Sequence, residues 1–79
     1  MKYISNGKNI VIFSEGLTHK EVAISLQKTY FGQAQSAGFI INIGLGKLEE
    51  IKTVGESVSL NLKSNPEDAE IFIRDIRGY

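Results

Sequence analysis

The chain has 79 residues, no cysteine, one proline, and nine basic residues balanced by nine acidic ones. A chain this short supports a single domain, residues 1–79, that buries only about 60% of the surface its unfolded form exposes. The missing cysteines exclude disulfides, thiolate nucleophiles and thiolate metal ligands, and zero net charge provides no field to draw in nucleic acid or an anionic membrane.

An apolar share of 42% opposes intrinsic disorder. No apolar run is long enough to span a bilayer. Lys8 and Asn9 interrupt the first apolar positions, so a signal-peptide core is not expected. With no cysteine in use, a cytoplasmic setting is the expectation.

Lys2 to Ser5 reads as a short strand, Asn6-Gly7 as a turn in which both residues tolerate positive φ, and Asn9 to Phe13 as the return strand. Thr18 and Glu21 have the spacing of a capping box, with Leu17 and Val22 placed for a hydrophobic staple. The spacing predicts a helix from Thr18 to about Tyr30, with Val22, Ala23, Leu26 and Tyr30 on its apolar stripe.

Ala37 to Ile43 reads as a central strand, with Phe39, Ile41 and Ile43 on one side. Gly44-Leu45-Gly46-Lys47 is the next loop. Glu49 to Val54 reads as a polar edge strand. Ser57 to Lys63 alternates, with Val58, Leu60 and Leu62 inward. Asn65 then caps a helix that carries Pro66 in its first turn, Glu67 and Asp68 at its positive end, and Ala69, Phe72, Ile73 and Ile76 on its buried stripe. The order is ββαβββα. The expected fold is α+β, a two-layer sandwich with both helices packed on one face of a mostly antiparallel sheet.

No motif in this order carries chemistry. His19 is the one histidine. A position at the helix start, over the edge of the core, accounts for it without catalysis. A hydrolase-like alternative needs His19 to meet a carboxylate or a serine such as Ser57 or Ser59. Gly44 to Lys47 lacks the spacing of a phosphate loop. Gly55-Glu56-Ser57-Val58-Ser59 lacks the last glycine of a nucleophile elbow. Glu49/Glu50 and Glu67/Asp68 read as solvated charge. No catalytic residue, metal ligand or cofactor is therefore expected.

Nucleic acid is disfavoured as a partner. Lys47, Lys52 and Lys63 could flank a polar sheet face carrying Tyr3 or Phe39, but the interleaving of basic and aromatic residues typical of such a face is absent. Surplus apolar residues are the positive signal. Ile24 and Phe31 lie off the stripe of the first helix and Ile71 off that of the second. They mark possible contacts with a protein partner or a second copy in a homodimer. The expectation is a non-catalytic protein-interaction or accessory module.

Overall fold

The computed structural model describes residues 1–44 and 46–78. It is an α+β fold with two helices packed on a mostly antiparallel sheet. Strands β1 (Lys2–Ser5), β2 (Ile10–Phe13), β3 (Ser36–Ile41) and β4 (Lys52–Val54) form the sheet in the order β2-β1-β3-β4, antiparallel throughout. Helix α1 (His19–Gln27) follows β2, and α2 (Glu67–Arg77) ends the fold. A second, two-stranded ladder joins β5 (Glu56–Ser57) to β6 (Leu62–Lys63).

The opening hairpin forms as its turn chemistry dictates. Asn6 Oδ1 accepts from Lys8 N–H at 2.9 Å and Asn9 N–H at 2.7 Å, while Gly7 takes φ +91°. This Asx turn closes the loop within four residues. The capping box also forms: Glu21 N–H donates to Thr18 Oγ1 at 3.1 Å, and Thr18 N–H to Glu21 Oε1 at 3.3 Å. Pro66 takes the N-cap position of α2, one residue later than expected, and Asn65 Oδ1 before it accepts from Glu67 N–H at 3.0 Å.

The helices do not share a face. Tyr3 and Ile4 are neighbours on β1, so their side chains point to opposite sides. Ile4, Phe13 and Ala37 pack with Val22, Ala23 and Leu26 of α1. Tyr3, Ile40 and Ile51 pack with Phe72 and Ile73 of α2. The expected pair of helices on one face is thus replaced by one helix on each. The cause is β2, whose two parities are both apolar: Val11 and Phe13 join the first core, Ile10 and Ile12 the second. A strand with two apolar sides needs cover on both.

Several elements differ from the sequence expectation. The central strand expected to reach Ile43 stops at Ile41, where Asn42 takes φ +67°. Helix α1 stops at Gln27 because Thr29 turns back, its Oγ1 donating to Leu26 O at 2.7 Å and accepting from Phe31 N–H at 3.1 Å. Tyr30 is therefore left in solvent rather than on the apolar stripe. The polar segment expected as one strand from Glu49 begins as a 3-10 turn, Leu48–Glu50, before β4. Ser57 to Lys63 is a tight hairpin, not one strand. Ser57 Oγ accepts from Leu60 N–H at 3.3 Å, and Asn61 adopts φ +55°. Val58 sits exposed at its tip, while Leu60 and Leu62 pack on the first core. In the loop after β3, Gly44 and Gly46 take positive φ, and Leu45 between them lies outside the described residues.

Candidate functional site

Asp68, at the start of α2, is the most buried carboxylate of the described residues, 2% exposed. Its Oδ2 accepts from Tyr3 Oη at 2.7 Å and from Ser36 Oγ, which joins α2 to β1 and β3. Tyr3 Oη in turn accepts from Asn65 N–H at 3.2 Å, and Thr53 Oγ1 on β4 donates to Asn65 O at 2.7 Å. Reading Asp68 as solvated charge is thereby corrected. Its side chain turns inward because two hydroxyls from the sheet replace water as its donors. Burial, followed by the hydrogen bond to Asp68, pushes the Tyr3 phenol well above the usual tyrosine range. Among the described residues, no buried side-chain polar atom is left without a partner. This network holds the start of α2 to the sheet; its Tyr3, Ser36 and Asp68 members are closed to solvent, while Asn65 is exposed.

His19 occupies the equivalent place on the other face. Its ring is 5% exposed and stands edge-on to Phe13 and Phe39, with centroids 5.5 and 5.8 Å away. Nε2 lies 2.9 Å from Gly38 O, and a carbonyl only accepts, so Nε2 carries the proton. The hydrogen-bond partner of His19 is thus a backbone carbonyl of β3. Ser57 Oγ instead lies near Ser59 Oγ and accepts from Leu60 N–H. The structure does not bring His19 into hydrogen bonding with either serine or with a carboxylate.

Among the described residues, helices and side chains cover the sheet positions of the two rings that a polar sheet face would have presented. Tyr3 is fully buried under α2, and Phe39 packs against His19 under the start of α1. Neither ring can serve as a stacking platform. Among the described residues, no helix is long and apolar enough to cross a membrane, and no group of three or more His, Asp or Glu side chains is placed to hold a metal ion.

The three apolar residues singled out in the sequence separate. Phe31 is 5% exposed and belongs to the first core with Ile4, Phe13 and Ala37, so it offers no free surface. It swings inward because α1 ends before it. Ile24 stays 53% exposed beside a groove between α1 and the β5–β6 hairpin. Ile71 is half-buried on one flank of α2, next to Gly7 and Arg74. With α1 and α2 on opposite faces, Ile24 and Ile71 cannot form one patch.

A concave surface runs along the other flank of α2, between that helix and β4. One stretch, about 550 Å³, is lined by Ile51, Thr53, Val54, Pro66, Ala69 and Ile73 with Glu49, Lys52 and Glu70. It shares Glu49, Glu70 and Ile73 with a second stretch of about 590 Å³ that reaches Arg74, Arg77 and Gly78. The result is one trough along the helix, with an apolar floor and charges of both signs on its rim. Sequence reading missed it because its walls come from segments distant in the chain, and Ala69 and Ile73 had been assigned wholly to the core.

Fold and surface together define a small α+β domain with a satisfied polar interior and an open, mostly apolar trough. Comparison of the chain with protein-family models, with curated proteins and with solved structures gives no match.

Proposed function

We propose that this domain is a non-catalytic protein-binding module whose trough beside α2 takes an amphipathic segment of a partner protein. The observation that carries this reading is the trough itself. Ile51, Ala69 and Ile73 form an apolar floor, and Glu49, Lys52, Glu70, Arg74 and Arg77 lie around it. Apolar anchors supply most of the energy in such a site and a polar rim supplies register. The buried, hydrogen-bonded state of His19 Nε2 and Asp68 Oδ2 supports the non-catalytic part of the reading, since each already has a packing role.

Site-specific photo-crosslinking tests it. A photoreactive residue replacing exposed Glu70 on the rim is expected to give a discrete protein adduct in native extract, and the same residue at exposed Val58 is not. Equal labelling at the two positions, or none at Glu70, overturns the proposal.

A further inference from the structure

The edge of the sheet opposite the trough carries an unused row of backbone groups. Among the described residues, strand β2 pairs with β1 alone. The ladder parity is set by two bonds: Asn6 N–H donates to Asn9 O at 3.1 Å, and Ile40 N–H donates to Met1 O at 2.8 Å. Even-numbered residues of β1 therefore bond to β2, and odd-numbered ones to β3. Antiparallel alternation then turns the N–H and C=O of Val11 and Phe13 toward β1, and those of Ile10 and Ile12 outward. Among the described residues, no loop, cap or turn bond uses the backbone of Ile10 or Ile12.

This row is closed at both ends. Arg74 Nη2 donates to Lys8 O at 2.7 Å, and Leu17 N–H donates to Ser14 O at 3.2 Å. Between these stops lie two free N–H and two free C=O groups. The edge is short, but Ile10 to Phe13 contains no lysine and no proline, and its register with β1 has no bulge.

We infer that β2 pairs antiparallel with β2 of a second copy of this chain, about a two-fold axis at Val11. Setting Val11 opposite Val11 places Ile10 against Ile12 and Ile12 against Ile10. The free groups then satisfy one another in four hydrogen bonds, and the two sheets become one of eight strands. The arrangement is isologous, the same patch serving both copies. Charge selects a second copy as the occupant. The register brings the exposed Lys8 end of each strand beside the exposed Glu15 end of the other, twice by symmetry. A parallel pairing would set Lys8 beside Lys8. Zero net charge leaves no long-range repulsion between copies.

Two measurements on the full chain test this pairing. Sedimentation across a wide concentration range is expected to show a monomer–dimer equilibrium. Amide exchange by NMR is expected to show Ile10 and Ile12 N–H slowing as the dimer fills. Lys8→Glu is expected to weaken the dimer about five-fold through like-charge opposition, and adding Glu15→Lys to restore it. Both positions are exposed, and the reversal gives up one exposed ion pair, that of Glu15 with the N-terminal ammonium at 3.6 Å, a small loss for folding. A monomer at every concentration overturns the proposal. A dimer in which the Ile10 and Ile12 amides stay fast also overturns it, and so does failure of the double reversal to restore pairing. None of these results bears on the trough beside α2, which lies at the other edge.

Discussion

Tyr3 and Asp68 are 65 positions apart, and the phenol of one donates to the carboxyl of the other at 2.7 Å in the interior. The bond ties the first strand to the last helix. It is supported on one side by Ser36 Oγ and on the other by Asn65 N–H. Removing one member leaves its buried partners unpaired. Tyr3→Phe is expected to lower stability by about 1–3 kcal/mol. Asp68→Ala, which orphans two hydroxyls, is expected to cost about 3 kcal/mol or more. A domain of this size has a total stability on the order of 4–12 kcal/mol. Urea unfolding midpoints of the two variants check the order and the size.

The same bond sets an alkaline limit. Burial and Asp68 raise the Tyr3 phenol in the folded state, while the unfolded phenol titrates near its ordinary value of about 10. Below that pH both states hold the proton and stability is unaffected. Above it the unfolded chain releases a proton that the folded one keeps, so stability falls as pH rises. One proton corresponds to about 1.4 kcal/mol for each pH unit. The stability difference between the parent chain and Tyr3→Phe is therefore expected to shrink above pH 10 at about that rate. Urea titrations between pH 8 and 11.5 measure it, and a constant difference contradicts it.

Gly38 is required by space. A Cβ there would lie 2.5 Å from Val54 O and 3.0 Å from Ser64 Cβ, both in segments held by the sheet and the β5–β6 ladder. Gly38 O also accepts the His19 bond. Gly38→Ala is expected to cost about 1–3 kcal/mol through overpacking, readable as a lower thermal midpoint. The 1H NMR line of the His19 Nε2 proton is expected to shift in that variant, because its acceptor must move.

The capping box gives a local control. Thr18 and Glu21 are exposed, and their mutual bonds lie within one turn. Thr18→Ala is expected to cost about 1 kcal/mol, or a thermal midpoint about 4–8 °C lower in a domain of this length. Adding Glu21→Ala to it is expected to cost little more, since the two side chains serve one cap. Thermal unfolding of the single and double variants decides this.

The residues that completed their bonds within a few positions were readable from the chain. Asn6 folds back on Lys8 and Asn9, Thr18 exchanges bonds with Glu21, and Asn65 accepts from Glu67 N–H. The α+β class and most of the element order follow from these signals with the apolar alternation between them. Residues whose partners lie far away were not readable. A helix running to Tyr30 places Phe31 on the surface, whereas ending it at Gln27 buries Phe31, since three residues decide whether a side chain faces solvent or core. Nothing local distinguishes Asp68 from Glu67, which stays exposed in the same turn. What separates them is that Tyr3 and Ser36 wait on the sheet beneath one and not the other.

By itself, then, the sequence determined the opening turn and the starts of both helices, because those turns and caps are satisfied by neighbours. The tertiary structure decided which face each helix covers, because Ile10 to Phe13 is apolar on both sides and each side needs its own helix. Only that choice buries Tyr3, His19 and Asp68, opens the trough between α2 and β4, and leaves β2 as a bare edge.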